Sequence, residues 1–376
     1  MIRLSSVSSG SSELVATDTR PGRVEWIDCA RAVCVVLVVV HHVVRQFVVE
    51  ADGEWHAATS FWSELDTVLT PIRIPLFFLM SGLLAGRSLA GNGLEIRKRY
   101  VVPIYLYLVW SVLLAAREFV GPASGDDGQN PVTRFLAELI LVCSGYWYLC
   151  ALPLYFLVAR CTRKLRLTYV LVPLVVLYLL RTVETETFAD LSAHFTDSPS
   201  LIGSILANVV FFVVGARCRT EILAQATRRF GLAAKLAFLL AYALGVWAMY
   251  QTGFTLVSLV VSLVGIVIGI VFAVEASKLR RLRIVLTPVG SRTLPIYVLQ
   301  FFFVSLLSFG WSKVGHRFLG LPDVFGWLYP VVTVAVVVSV SLIFYALSQR
   351  IGLKLLFEPP ERLMKGRSIK RQGPSI

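Results

Sequence analysis

Long apolar segments recur along this 376-residue chain, and they constrain its fold more than any other feature. The hydrocarbon core of a membrane is about 30 Å thick, so a helix needs about 20 apolar residues to cross it. Hydrophobic residues make up 56% of the chain and charged residues only 16%, whereas soluble domains are about a quarter charged. The pattern excludes a cytosolic enzyme, a secreted disulfide-rich protein and a disordered protein.

The apolar segments predict an all-α, polytopic membrane protein with about ten transmembrane helices in one bundle. Residues 131–143 are too short to span and are expected to form an interfacial or re-entrant helix. The predicted spans are 27–48, 66–88, 100–118, 145–161, 167–182, 200–217, 230–250, 254–275, 293–311 and 328–349.

Three regions follow from these spans. Residues 1–22 are rich in Ser and Thr and lack an apolar run, so we expect a disordered cytoplasmic N-terminal tail and no removable signal peptide. Residues 23–350 are expected to form the membrane domain, and residues 351–376 a basic cytoplasmic C-terminal tail.

The basic residues predict the orientation of the bundle. With ten spans, 29 of the 36 Lys and Arg residues fall on the side that holds both termini. The opposite loops are acidic, with residues such as Glu54, Asp126 and Glu186. The positive-inside rule therefore predicts a multi-pass plasma-membrane protein with both termini in the cytoplasm. This topology accounts for the net charge of +13 without a nucleic-acid partner.

The first predicted span carries the most polar side chains, and several of them share one helix face. Asp28, Arg31, His42 and Arg45 recur at helical spacing along it. At about 100° per residue, Arg31 and His42 lie about 20° apart around the axis and roughly 16 Å apart along it. His41 lies about 80° away from Arg31 by the same arithmetic.

A cation and an imidazole on one face suit phosphate binding and proton transfer. A His with a pKa near neutrality can take a proton from a hydroxyl group. A guanidinium binds phosphate, so Arg31 could hold a phosphate-bearing carrier whose long arm reaches inward to His42. The alternative is an interfacial His and an Arg that snorkels to the lipid headgroups.

Three further cations are candidate binding residues. Arg73 lies inside the second predicted span, where it needs an anion or a polar cavity, unless it snorkels outward. Arg97 and Arg99 precede the third span. They either set topology and bind headgroups or contact the phosphates of a cytoplasmic donor.

An aromatic cluster and an amide complete the candidates. Trp147 belongs to the cluster 145–149. This cluster is expected at the outer face, either as an aromatic belt or as a platform that stacks on a sugar-like acceptor. Gln300 lies in the ninth span and needs a partner inside the bundle.

These pieces, in this order and spacing, resemble the acyltransferase 3 family of membrane acyltransferases. The resemblance covers roughly residues 23–350 and is greatest to the branch that O-acetylates sugars and polysaccharides. The matching segments are Asp28–Arg31 followed by His42, Pro75–Gly82, Arg97–Arg99 before Pro103, Trp147–Leu149 and Gly290–Tyr297.

The resemblance implies a reaction and its partners. An acyl group, with acetyl expected, would move from cytoplasmic acyl-CoA to a hydroxyl of a sugar, glycan or small molecule. Acyl-CoA is a co-substrate here, and neither a bound cofactor nor a metal is expected. His42 would be the catalytic base or a transient acyl carrier, and Arg31 would support the donor or His42. The residues then expected to bind substrate are Asp28, Arg73, Arg97, Arg99, Trp147 and Gln300.

The sequence departs from the family pattern at two positions, and two functions other than acyl transfer stay open. His41 precedes His42, and Gln300 stands where relatives often carry a His. A transporter or flippase of a polar glycan or lipid-linked sugar would also use buried charges and an aromatic mouth. A membrane scaffold, in which His42 is inert, is the third possibility.

Overall fold

The chain folds into a bundle of helices. The computed structural model describes residues 24–51, 54–91, 93–120, 131–193, 200–314 and 322–364, and the expected N-terminal tail 1–22 lies outside them. Within these residues the regular elements are all helices, including a 3-10 helix at Leu353–Leu356. The α-helices are α1 Glu25–Glu50, α2 His56–Gly86, α3 Leu94–Val120, α4 Pro131–Ile140, α5 Trp147–Cys161, α6 Leu167–Leu179, α7 Arg181–Ala193, α8 Ile202–Arg217, α9 Arg219–Ala226, α10 Leu232–Thr252, α11 Thr255–Lys278, α12 Arg280–Ser291, α13 Thr293–Val314, α14 Val324–Arg350 and α15 Glu361–Met364.

The all-α membrane class is confirmed, and the count of ten spans is approximate. In the described part of the chain, seven helices are long and apolar enough to cross a membrane, or eight if α8 and α9 form one bent span. The other predicted spans correspond to α5 and α6, which have only 15 and 13 residues. At 1.5 Å per residue, about 20 Å of helix falls short of a bilayer core of about 30 Å.

The packing of α5 corrects the expected position of the aromatic cluster. At its last turn and just beyond, Arg160 and Arg163 donate hydrogen bonds to the carbonyl of Leu89. Its first turn lies in the protein interior, since Tyr146 and Tyr148 are both buried. These two tyrosines therefore line the inside of the bundle, and the expectation of an aromatic belt is wrong for them.

Helix α1 lies at the centre of the bundle, and α2 packs tightly on α8 beside it. Small and β-branched side chains of α1, among them Ala30, Cys34 and Val39, are fully buried. A Cβ atom on Gly82 of α2 would lie 2.1 Å from the carbonyl oxygen of Phe212 on α8. Such a close backbone approach needs a small residue at this position.

The basic segment after α11 is a helix rather than a loop. This helix, α12, packs on α1 so closely that a Cβ atom on Gly290 would lie 1.8 Å from the carbonyl oxygen of Asp28. Arg283 also forms an ion pair of 2.9 Å with Glu25 at the start of α1. Helix α12 therefore supports the end of α1 that carries Asp28 and Arg31.

The described part of the expected C-terminal tail packs against α3. Trp110 donates its indole N–H to the carbonyl of Leu356 over 2.9 Å, and Tyr105 donates its hydroxyl to Leu355 over 2.7 Å. Phe357 is buried. Residues 351–364 therefore form part of the folded bundle, and residues 365–376 lie outside the described chain.

Candidate active site

Arg31 is held in place by neighbours on two helices. Its Nη2 donates a 2.7 Å hydrogen bond to Oγ1 of Thr293 at the start of α13. Its Nη1 lies 3.6 Å from Oδ1 of Asp28, one turn earlier on α1. Asp28 is buried. Its position beside Arg31 indicates that it orients this guanidinium.

Arg31 lines a cavity of about 470 Å³ between α1, α2, α3, α5, α8 and α13. Lys98 and Arg99 of α3 line the same cavity, with Glu95 as the acidic residue among them. We call this space the basic cavity. The surplus of cations suits a ligand with several phosphate oxygens, which guanidinium groups bind through paired N–H donors.

Arg99 is anchored by the end of α2. Its Nη2 donates to the carbonyl oxygen of Leu84 over 2.8 Å, and its Nε donates to Oγ of Ser88 over 3.3 Å. These bonds leave Nη1 without a hydrogen-bond partner among the described residues. The structure thus brings Arg31 and Arg99 to one cavity although they come from different helices.

Tyrosine side chains form another part of the wall. The ring of Tyr148 stacks on Phe77 with centroids 4.4 Å apart. Ser81 donates to the carbonyl of Phe77, so the hydroxyl of Tyr148, 2.6 Å away, donates to Ser81. Tyr297 donates to the carbonyl of Gly145 over 2.6 Å. These bonds fix both rings, and both residues line the basic cavity.

The ring of Phe301 lies near both His42 and Tyr297, a tyrosine of the cavity wall. The imidazole of His42 contacts Phe301 with centroids 4.5 Å apart, and Phe301 lies 6.0 Å from the ring of Tyr297. His42 is half-buried and is not a lining residue of the basic cavity. Its ring nitrogens form no hydrogen bond with any described residue. The basic cavity therefore includes Arg31 but not His42, which contacts Phe301 next to the wall residue Tyr297.

A polar cluster that the sequence analysis missed lies next to His42. His41, whose ring centroid is 4.9 Å from that of His42, has its Nδ1 2.7 Å from Oδ2 of Asp66. Arg73 donates to the other carboxylate oxygen of Asp66 over 2.5 Å and to Oγ1 of Thr70 over 3.2 Å. Asp66 and Arg73 are both buried. The anion that Arg73 was expected to need is thus supplied by the protein.

One signal in the sequence could have identified this pair. Asp66 and Arg73 are seven residues apart, which is two helical turns, so they share a face of α2. Opposite charges at this spacing inside an apolar segment predict a buried ion pair.

Three other predicted substrate-binding residues lie elsewhere. Arg97 donates from Nε to the carbonyl of Leu363 over 2.7 Å and points toward the C-terminal segment. Trp147 contacts Phe78, with ring centroids 5.5 Å apart, and does not line the basic cavity.

Gln300 is the third of these residues, and it is fully buried. Neither of its amide atoms has a hydrogen-bond partner among the residues that the structure describes. The expected polar partner within the bundle is therefore not found there.

Among the residues that the structure describes, no group of three or more His, Cys, Asp or Glu side chains could hold a metal ion.

Comparison with known proteins agrees with this architecture. A family model described as an acyltransferase domain matches residues 24–347. An alignment of length 369 with the inner membrane protein YcfT of Escherichia coli (strain K12) shows 28% identity, and it covers 89% of this chain and 96% of that protein. No solved structure matches. Because the family model covers nearly the whole bundle, the chain belongs to the acyltransferase 3 family of membrane acyltransferases.

Proposed function

We propose that this protein moves an acyl group, expected to be acetyl, from cytoplasmic acyl-CoA to a hydroxyl of a sugar, glycan or related acceptor. One observation carries the proposal. Arg31 and Arg99 line one cavity, and its wall residue Tyr297 contacts Phe301, which in turn contacts His42. A cationic anchor for phosphates and a base deeper in the bundle are the parts that an acyl-CoA-dependent transfer needs.

The basic cavity would hold the phosphates of acyl-CoA. Arg31, Lys98 and Arg99 supply the positive charge, and Thr293 keeps Arg31 oriented. Arg31 and His42 are eleven residues apart on α1, which corresponds to roughly 16 Å along the axis. The thioester must therefore reach inward past the tyrosine wall, which the long flexible arm of a coenzyme A thioester is suited to do.

His42 would act on the acceptor. Its neutral imidazole takes the proton of the acceptor hydroxyl, and the oxygen attacks the thioester carbonyl carbon. The carbon–sulfur bond breaks, an ester forms, and the proton passes to the leaving thiolate. In the other form of the mechanism, His42 attacks the thioester carbonyl carbon, the carbon–sulfur bond breaks and the thiolate leaves. The acceptor hydroxyl then takes the acyl group from His42, and its proton passes to the thiolate.

Arg73 would assist both forms of the mechanism through its positive charge. It is paired with Asp66, and both belong to the cluster that contacts His42 through His41. A fixed dipole of this kind can stabilise the negative charge that develops on the thioester oxygen.

Both termini are proposed to lie in the cytoplasm, so that acyl-CoA reaches the basic cavity directly. Lys98 and Arg99 are on the same side of the predicted bundle as Arg160 and Arg163. A variant that retains only the exposed Cys161 should react with a membrane-impermeant maleimide only in opened cells. A Ser60→Cys substitution in a cysteine-free background serves as the control on the opposite side and should react in intact cells.

The proposed function is tested with labelled acetyl-CoA and membranes that contain the protein. The expected result is label in a glycan or small metabolite, and His42→Ala should abolish it while the protein still inserts. His56→Ala, which changes an exposed His at the start of α2, is the matched control. A transporter or scaffold would transfer no label, and normal transfer by His42→Ala would contradict the proposed base.

A further inference from the structure

A second cavity, of about 620 Å³, lies on the other side of α8 from the basic cavity. Apolar side chains of α6, α8, α10 and α11 form most of its walls, for example Val175, Phe238 and Leu263. We call it the apolar cavity. Phe211 lines the apolar cavity and its neighbour Phe212 lines the basic cavity, so α8 separates the two.

One end of the apolar cavity lies next to a polar link between α6 and α11. There, α6 and α11 are joined by a 3.2 Å hydrogen bond between Tyr178 and Ser258, and Arg181 donates to Ser258 over 2.8 Å. From this point the cavity follows α11 between Leu259 and Glu275, a length of about 24 Å at 1.5 Å per residue. Such an elongated apolar space fits a hydrocarbon chain better than a compact ligand.

Polar groups collect at the other end of the apolar cavity. Helix α9 is bent 76° from α8 there, and its Ile222 and Ala226 contribute to the lining. Arg228 follows α9 and also lines the cavity. Its side chain is exposed, and within the described residues it forms no hydrogen bond or ion pair.

The charge at this end is positive overall. Glu275 is neutralised by Lys235 at 2.9 Å and by Lys278 at 3.1 Å. Glu221 is the other acidic lining residue, and it forms no ion pair with Arg228 in the structure. With Arg229 and the two lysines beside it, this end of the cavity has four cations against two carboxylates. An apolar cleft with a cationic mouth complements an amphiphile that has one or two chains and an anionic head.

We propose that the apolar cavity binds an anionic phospholipid from the adjacent leaflet, with an acyl chain along α11 and the phosphate at Arg228. The chain passes from the hydrocarbon of the leaflet into another apolar environment, so the shape of the cavity decides where the chain lies and adds little affinity. Arg228 provides the preference for an anionic headgroup, because a basic residue near the surface attracts such lipids. The site is separate from the proposed acyl transfer and does not depend on it.

The test uses the full-length protein, delipidated in detergent and exposed to equal amounts of phosphatidylglycerol and phosphatidylcholine. Native mass spectrometry should show phosphatidylglycerol bound in excess. Arg228→Ala should lower that preference about fivefold, the equivalent of about 1 kcal/mol for one basic residue. Arg229→Ala, which changes the adjacent exposed residue that does not line the cavity, should keep more of the preference.

Filling the cavity tests where the chain lies. Leu263→Trp, or Val267→Trp if the first variant does not fold, should remove both lipids while the unfolding temperature in detergent stays near that of the wild type. A folded variant that still binds phosphatidylglycerol would overturn the proposed location. Equal binding of the two lipids by the wild type, or equal effects of Arg228→Ala and Arg229→Ala, would overturn the proposed headgroup contact.

Discussion

Nδ1 of His41 lies 2.7 Å from Oδ2 of Asp66, and this contact joins the polar residues of α1 to those of α2. The other oxygen of the same carboxylate accepts a hydrogen bond from Arg73. Asp66 thus compensates a buried guanidinium and fixes the imidazole next to His42. In an interior of low polarity, such a cluster is stable only while each charge keeps its partner.

Asp66→Asn should therefore destabilise the protein by about 3 kcal/mol, because it leaves the buried charge of Arg73 without a counterion. The double variant Asp66→Asn/Arg73→Gln should lose less than the sum of the two single variants, since it removes both charges. Thermal unfolding in detergent measures both effects. Glu64→Gln, an exposed change two residues earlier, should have little effect, and additive losses in the double variant would contradict the coupling.

Thr293→Val should weaken the use of acyl-CoA without removing the proposed base. The substitution keeps the shape of the side chain and removes the hydroxyl that accepts a hydrogen bond from Arg31. A hydrogen bond to a charged group contributes about 1.5 kcal/mol or more, so the KM for acetyl-CoA should rise about tenfold while kcat changes less. Steady-state kinetics with labelled acetyl-CoA checks this split.

The control for that variant is Thr252→Val, since Thr252 is exposed and its hydroxyl bonds only to nearby backbone, donating to Ala248 and accepting from the N–H of Phe254. An unchanged KM in Thr293→Val would show that the hydroxyl does not orient Arg31 for donor binding.

Gly290→Ala should disturb the support of Asp28 and Arg31. The added Cβ atom would lie 1.8 Å from the carbonyl oxygen of Asp28, so α12 has to move away from α1. Overpacking of this kind typically costs about 1–3 kcal/mol. We expect a lower unfolding temperature and a raised KM for acetyl-CoA. Gly310→Ala, where no heavy atom lies within 4 Å of the added Cβ, should be neutral or stabilising.

The predictions that hold depend on local periodicity and on the order of the motifs. The apolar segments are long enough to identify the membrane helices without knowledge of their packing. Arg31 and Arg99 line the basic cavity together, and that they serve one ligand stays a prediction. It came from the family resemblance, because helical spacing within α1 alone says nothing about α3.

The features that were missed depend on how the helices meet. The contact between His41 and Asp66 requires a particular register of α1 against α2, which neither sequence segment reveals. Tyr148 lies in the interior because its ring packs on Phe77 and Phe78 of α2, a contact between helices that the sequence of α5 does not reveal. Arg97 points to Leu363 because residues beyond the last span pack on α3, a contact between segments that are far apart in the sequence.

Gly145→Ala separates the chemistry of the site from its donor binding. The added Cβ atom would lie 2.3 Å from two ring atoms of Phe301, whose ring contacts His42. Phe301 must shift, and a small misplacement next to a catalytic group can lower the rate about a hundredfold. Because Arg31 and Arg99 are not touched, we expect kcat to fall at least tenfold while the KM for acetyl-CoA stays within about twofold. Gly231→Ala, in open space ahead of α10, is the matched control, and a raised KM with unchanged kcat in Gly145→Ala would place Phe301 at the donor site instead of at His42.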